Sequence, residues 1–321
     1  MTTHAPLFVG VDLGGTKTLA AVGTADGNIL ASAVNPSRAD QSAEVILDVM
    51  AQTARQAVRE ARVDEADVKG VGIAAAGAIN ADEGVVVWCP QLKQVSNHPV
   101  VSMFQRRWNK PTFIGNDANL AALAEQRYGV GKGIRHLVFV TISTGIGGGI
   151  VLNGELYTGR MGFAGEVGHM TVDAHGPYGR STTPGAWESM CSGTALARIA
   201  GERMAAGERS SLEAIADLDA EDIFAAMRAG DPLARSVIAD AIVYLGAGLT
   251  GVVNILDPDI LVIGGGLSNE WAAYIEPAIA IMRKQSFAGM GKKLKVVPPR
   301  FGAEAGALGG IALAADKTRS S

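Results

Sequence analysis

The chain has 321 residues, of which 41 are glycine and 12 proline, a glycine share about twice the usual ~7% without the proline of a collagen-like or disordered chain. Hydrophobic residues make up 48% and charged residues 19%, so a large core can be buried, and the length points to roughly two domains. A net charge of −4 with 5% aromatic residues argues against a nucleic-acid binder or a protein drawn to anionic membranes. Residues 8–12 form an apolar run that reads as a buried strand ending at Asp12. After the turn at Gly14 and Gly15, β character resumes at 18–22, and Asp26-Gly27 signals a hairpin into 29–34. Residues 41–62 place Val45, Val49, Ala54, Val58 and Ala61 at helical spacing. A strand is expected at 68–73, a short β run at 85–88, a helix at 99–108 and a strand at 112–114.

Asn116 and Asp117 follow that strand, and 118–127 reads as a helix. Residues 136–143 are expected as a strand, 144–149 as a glycine loop, and 149–156 as a strand running into a turn. Residues 173–186 are rich in Gly, Pro, Ser and Thr and read as a long loop. A single helix is expected at 187–204. Asp231-Pro232 is a helix-start signal. Residues 241–256 are the longest apolar stretch. They fall short of the ~18–20 residues a membrane span needs and are expected as a buried helix of a soluble, cytoplasmic protein. A strand at 260–263 opens onto Gly264-Gly265-Gly266, a last strand falls at 296–297, and a small-residue helix at 304–316. The N-terminus lacks the basic and apolar regions of a secretory signal. Cys89 and Cys191 are too few for a disulfide framework and form no CxxC pair, so they read as reduced thiols.

Alternating strands and helices indicate an α/β architecture. The meander at 8–34 recurs in coarse form at 136–157, which predicts two similar halves facing across a cleft, with a boundary near Gly115-Asn116. Glycines cluster at three strand ends: Gly14-Gly15 with Thr16, Lys17 and Thr18; Thr144, Gly145, Gly147, Gly148 and Gly149; and Gly264, Gly265, Gly266 with Leu267. Glycine after a strand lets backbone N–H groups turn toward an anion. Each loop taken singly is also an ordinary tight turn. None matches the P-loop or the dinucleotide fingerprint in its βα setting. Asp12 is suited to Mg²⁺, directly or through water, and Lys17 to a phosphate; both also fit a turn-capping Asp and a solvated Lys.

The segments 12–18, Asn116-Asp117-Ala118-Asn119, 143–149, Glu166-Val167-Gly168-His169 and 264–267 resemble, in order, the motifs of the ROK family, whose members are sugar kinases and some sugar-responsive repressors. The resemblance covers nearly the whole chain. It implies an actin/hexokinase-like (ribonuclease H-like) two-domain ATPase fold with a central cleft. The N-terminal domain would span 1–115, the larger C-terminal domain 116–302, and a helix at 303–321 would pack back on the first. The cofactors implied are ATP and Mg²⁺, the latter at Asp12. ATP would be held by Asp12, Gly14, Gly15, Thr16, Lys17, Thr144, Gly145, Gly147, Gly265, Gly266 and Leu267. Asp117 would be the general base that deprotonates a sugar hydroxyl; read alone, it is equally an N-cap for the following helix. Asn116, Asp117, Glu166, His169 and Glu188 would ring the hexose, and Gly77, Ala78 and Asn80 would close the site from the N-terminal side. Read alone, Glu188 is also an acidic residue in a helix's first turn.

The chain departs from many relatives in one place. The segment 171–185 holds no cysteine, so the zinc that many members bind beside His169 is not expected. That loop must be fixed by its own packing, with Pro177, Pro184 and Trp187 as anchors. The expected activity is transfer of the γ-phosphoryl of ATP to O6 of glucose. N-acetylglucosamine, N-acetylmannosamine, mannose, fructose or allose are alternative acceptors, and polyphosphate is an alternative donor. A repressor is disfavoured by the seven residues before the first strand and the acidic charge; a non-catalytic sugar-binding regulator is a further alternative. Hinges are expected near 115 and 300–303, and a homodimer or higher homo-oligomer is expected from the family.

Overall fold

A computed structural model describes residues 5–179 and 183–319. In chain order the strands and helices begin with β1 (Leu7–Leu13), β2 (Lys17–Thr24), β3 (Ile29–Pro36), α1 (Ala43–Glu60), β4 (Val68–Ala75), β5 (Ala78–Asn80), β6 (Val85–Trp88), α2 (Val100–Trp108), β7 (Thr112–Asn116) and α3 (Asp117–Tyr128). Next come β8 (Leu137–Ile142), β9 (Ile146–Leu152), β10 (Glu155–Tyr157), α4 (Trp187–Cys191), α5 (Gly193–Ala205), α6 (Ala220–Ala229) and α7 (Pro232–Leu256). The chain continues with β11 (Ile260–Gly264), α8 (Glu276–Gln285), α9 (Met290–Lys293), β12 (Lys295–Val297) and α10 (Ala305–Arg319).

Contacts divide the chain into two compact units. One holds the chain up to Phe139, Gly149–Gly165 and everything from Pro299; the other holds Val140–Gly148 and Glu166–Pro298. Strands β8 and β9 therefore run covalently from one unit into the other.

The first unit is built on a five-stranded sheet in the order β3-β2-β1-β4-β7. Strands β1, β2 and β3 pair antiparallel, whereas β1, β4 and β7 run parallel. The two-residue period of a strand sorts β1 onto two faces. Leu7, Val9, Val11 and Leu13 join a core with Ile46, Leu47 and Met50 of α1 and Phe104 of α2. Phe8 points the other way, into a cluster with Ala307 and Ile311 of α10. Gly10 and Asp12 share that second face. Gly10 pairs with Gly72 of β4, and both meet α10 backbone to backbone. A side chain at Gly10 would lie 1.8 Å from the Ala307 carbonyl oxygen, and one at Gly72 would lie 2.0 Å from that of Gly310. Part of the glycine surplus thus serves close packing of a helix on a sheet.

A second five-stranded sheet has the order β10-β9-β8-β11-β12. The helices of the second unit surround buried Trp187, Tyr274 and Phe224, the last two ring edge to ring face at 5.5 Å. Gly248 of α7 makes room for the Trp187 indole, which an added Cβ would meet at 2.1 Å. Asp231 caps α7 by accepting from Ala234 N at 2.9 Å.

Three expectations change. Strand β9 starts at Ile146, so Gly147, Gly148 and Gly149 are strand residues rather than loop. Gly149 is a crossing point: a Cβ there would lie 2.7 Å from the Ala118 carbonyl oxygen of α3. The helix expected at 187–204 breaks at Ser192, whose extended backbone and side chain cap α5. The apolar stretch at 241–256 belongs to a 25-residue helix that starts at Pro232; by length and composition α7 is long enough to cross a membrane, and half of its most apolar window is buried.

Candidate active site

In the first unit, the parallel strands deliver their carboxyl ends to one edge of the sheet. Asp12 pairs with Ala74 of β4, and Ala75 pairs with Asn116 of β7. Open α/β sheets place ligands at this edge, since the loops there are free to diverge. Asp117 is the first residue of α3, but it is not the cap. Asn116 takes that role: its Oδ1 accepts from Ala118 N at 2.9 Å and Asn119 N at 3.1 Å, and its Nδ2 donates to the Gly77 carbonyl oxygen at 3.0 Å. The Asn116 carboxamide is thereby engaged by the backbone. Asp117 is relieved of capping, although its Oδ1 also accepts from Ala118 N at 2.8 Å. Burial pushes the Asp117 carboxyl up, against the pull of the backbone N–H groups of Ala118 and Asp117.

Asp12 keeps part of its surface in solvent, yet surrounding atoms strip enough water to push its carboxyl up to about 7. Burial is the main cause, the Asp117 charge adds to it, and Lys17 opposes it. Gly306, in the first turn of α10, faces this carboxylate. Among these expected positions, Gly14 closes its turn by donating to the Lys17 carbonyl oxygen at 3.1 Å; Gly15 lies against Gln91; Thr16 and Lys17 are exposed. Gly77 has a φ of +96°, and Trp88 O leaves no space for a side chain there. Ala78 begins β5. Asn80 accepts from Glu83 N at 3.2 Å and lines a groove of about 360 Å³ with Asp82, Glu83 and residues 158–163.

In the second unit, Ile146 is the joint. Its N–H donates to Glu188 Oε2 at 2.9 Å, and a side chain at Gly145 would meet that same oxygen at 2.1 Å. Gly168 packs on the Ile146 carbonyl oxygen, with 2.0 Å left for a Cβ. The turn that carries Glu166 and His169 is therefore held against the strand end that orients Glu188. Glu166 Oε2 and His169 Nε2 lie 3.7 Å apart, both part-exposed. Thr144 offers its carbonyl oxygen to Thr194 Oγ1 at 2.7 Å. Gly265, with a φ of +87°, packs on Ile142. Gly266 approaches Ser143, and Leu267 is buried. Two of the three glycine segments, those ending β8 and β11, are brought together in this unit, while the first lies in the other.

The described part of the loop without cysteines is held by hydrogen bonds. Val172 N donates to Gly185 O at 2.9 Å, Gly185 N to Pro177 O at 2.8 Å and Trp187 N to Met170 O at 2.7 Å. Tyr244 Oη donates to Asp173 Oδ2 at 3.1 Å, and Ser189 Oγ to Tyr178 O at 3.1 Å. Pro177 contributes through its carbonyl and Trp187 through its burial. Among the described residues, no group of three or more His, Cys, Asp or Glu is placed to hold a metal ion. A hydrated Mg²⁺ needs less: one or two carboxylates, with water and phosphate oxygens completing the shell. The Asp12 side chain, at the end of β1, is an oxygen donor of that kind.

Gly306 and Asn119 were not singled out from the sequence as site residues. Gly306 sits in a helix rich in small residues, and nothing local marks the one that meets a strand end. Asn119 is marked in the sequence only as part of a motif.

The ROK family profile matches residues 8–317. A glucokinase of Streptomyces coelicolor is 34% identical over 96% of this chain and 97% of its own length. More distant relatives are an N-acetylmannosamine kinase of Escherichia fergusonii, 32% identical over 84% of this chain and 87% of its own, and a putative xylose repressor of Caldicellulosiruptor, 29% identical over 96% and 77%. Among solved structures, a ROK hexokinase of Thermus thermophilus aligns with a TM-score of 0.84 and 31% identity, covering 98% of this chain and 100% of that one. A ROK glucokinase of Streptomyces griseus, in complex with glucose and AMPPNP, aligns at 0.78 and 31%, covering 97% and 99%.

Proposed function

From the premise that this chain belongs to the ROK family, with the actin/hexokinase-like α/β fold of its structural neighbours, and is an ATP-dependent sugar kinase, we propose that its acceptor is glucose, phosphorylated at O6, with Asp117 as general base. The observation that carries this reading is the division of labour at the start of α3. Asn116 caps the helix, which leaves the Asp117 carboxylate at a strand-to-helix junction beside Asp12. In the proposed step, the Asp117 carboxylate accepts the proton of the sugar hydroxyl as that oxygen bonds to the γ-phosphorus. The bond to the β-phosphate oxygen breaks, and ADP leaves. A carboxyl raised by burial is a better base than an ordinary aspartate.

Asn116, Glu166, His169, Glu188 and the segment Gly77, Ala78 and Asn80 are assigned to the hexose. The three glycine segments and Lys17 are assigned to the nucleotide. Magnesium would be held at Asp12, largely through water; when bound, it neutralises phosphate charge. Zinc has no part in this reading. The functional division near 115, with the last helix counted with the N-terminal part, belongs to the same proposal, as do a cytoplasmic location and a homodimer or higher homo-oligomer.

Glucose is preferred over N-acetylmannosamine because the glucokinase of S. coelicolor aligns with the larger identity and the fuller coverage; N-acetylglucosamine, mannose and fructose are the other acceptors to be compared. Discrimination among these acceptors rests on single hydrogen bonds. The test is a coupled ADP assay over a hexose panel with Mg-ATP. Glucose should give the highest kcat/KM. Asp117→Asn should lose about 10²–10⁴-fold in turnover while still binding sugar. Wild-type turnover in that variant would remove Asp117 from the chemistry. Sugar binding without turnover in the native chain would favour a regulator, as the repressor relative allows.

A further inference from the structure

Asn119 closes the Asn116–Asn119 motif, and the proposed chemistry gives it no task. It lies on α3 just past Asp117 and is 3% exposed. Its Nδ2 donates to the Ala164 carbonyl oxygen at 3.5 Å, a long bond. Its Oδ1 is buried and accepts no hydrogen bond. Exchanging the amide nitrogen and oxygen would only set two oxygens against each other at Ala164. The side chain has little freedom to leave, because α3 rests on Gly149 so closely that a Cβ there would lie 3.0 Å from the Asn119 Cα. A buried acceptor left unmade costs on the order of 1–3 kcal/mol, so its presence in a well-packed helix asks for a state in which it is used.

Its neighbour supplies one. Ala164 N donates to Thr158 O at 3.0 Å and closes a loop over 158–164. Gly159, Gly162 and Gly165 in and beside that loop have φ of 70°, 83° and 96°, a region where glycine peptides reorient at little cost. The next residue is Glu166, assigned above to the sugar. We propose that Asn119 is a positioning residue for sugar binding. When Glu166 engages the sugar, the peptide between Gly165 and Glu166 turns so that its N–H comes to the same side of the chain as the Ala164 carbonyl and donates to Asn119 Oδ1. The loop is then tied to the helix of Asp117 by two hydrogen bonds from one carboxamide in place of one. This rests on the sugar-kinase reading.

The experiment compares wild type, Asn119→Leu, which matches the shape, and Asn119→Ala, which cannot clash. Melting temperature is read with and without glucose, alongside KM and kcat. Without sugar, at least one variant should melt within about 2 °C of wild type, since the acceptor it loses was unmade. The sugar-induced rise should fall by half or more. KM for the sugar should rise about tenfold, one hydrogen bond's worth, with kcat within about threefold. An equal fall in melting temperature with and without sugar, failure of both variants to fold, or an unchanged KM would each overturn the proposal, since Asn119 would then serve the free protein or nothing. A wild type that responds to no hexose would overturn the kinase reading and this inference together; a responsive wild type beside equally responsive variants overturns this inference alone.

Discussion

The Asp12 carboxylate occupies space that Gly306 leaves open: a Cβ on Gly306 would lie 2.7 Å from both Cγ and Oδ2 of Asp12. The last helix of the chain thus borders the end of its first strand. Gly306→Ala should push Asp12 aside while keeping the fold. Displacement by about 1 Å can cost about 10²-fold in rate, so turnover should fall by about that factor with sugar affinity unchanged. Steady-state kinetics in Mg-ATP, with calorimetry of sugar binding, would check it; wild-type nucleotide kinetics would exclude the contact from function.

Asp12 should cost the free protein stability. Its carboxyl is raised from 3.8 to about 7 in the fold, so the folded state resists its ionisation. The favourable contribution is complete below about pH 4 and is lost as pH rises through about 7. Asp12→Asn should therefore raise the unfolding free energy at pH 8, by on the order of 1–4 kcal/mol, and change it little at pH 4, while abolishing turnover. Urea titrations at the two pH values decide this, and an equal effect at both would contradict it.

Asp231 has the opposite sign. Burial alone would raise its carboxyl, but the N–H groups of Ala234 and Ser211 and the hydroxyls of Ser210 and Ser211 outweigh burial and hold it at about 2. Its contribution is present above about pH 4 and is lost as pH falls toward 2. The shift corresponds to about 2 kcal/mol. Asp231→Asn should unfold at lower temperature than wild type at pH 7, and the two melting curves should converge near pH 2–3.

Glycine substitutions should divide by what stands opposite. Gly10→Ala drives a methyl into the Ala307 carbonyl, 1.8 Å away, and should cost about 3 kcal/mol or more, or prevent folding. Gly201, inside α5, has nothing within 4 Å of a built Cβ. Gly201→Ala should stabilise by about 0.5–1 kcal/mol. Thermal denaturation of the pair would show whether packing or helix propensity governs.

These glycines also explain what was legible in the sequence. The strand from 8 to 12, the helix from 41 to 62 and the turn at Asp117 were readable because hydrophobic period and cap chemistry are local. Gly147, Gly148 and Gly149 misled, because isolated propensity marks glycine as loop, although all three lie in β9 and α3 crosses at Gly149. Ser192 was hidden for the same reason in reverse, as helix-compatible residues flank a cap on both sides. Of the site, the residue types were legible, but the assignment of capping to Asn116 rather than Asp117 was not. Either can cap, and only the distance to Gly77 and the start of α3 decides.

The pairing of Gly10 with Gly72 beneath α10 has a consequence for the order in which the chain can mature. Both glycines are made long before the helix that covers them. Until then the nascent sheet carries a bare strip of backbone on one face, open to premature partners. Final closure of the first unit must wait for that helix, so the strip stays bare while everything between Gly72 and α10 is made.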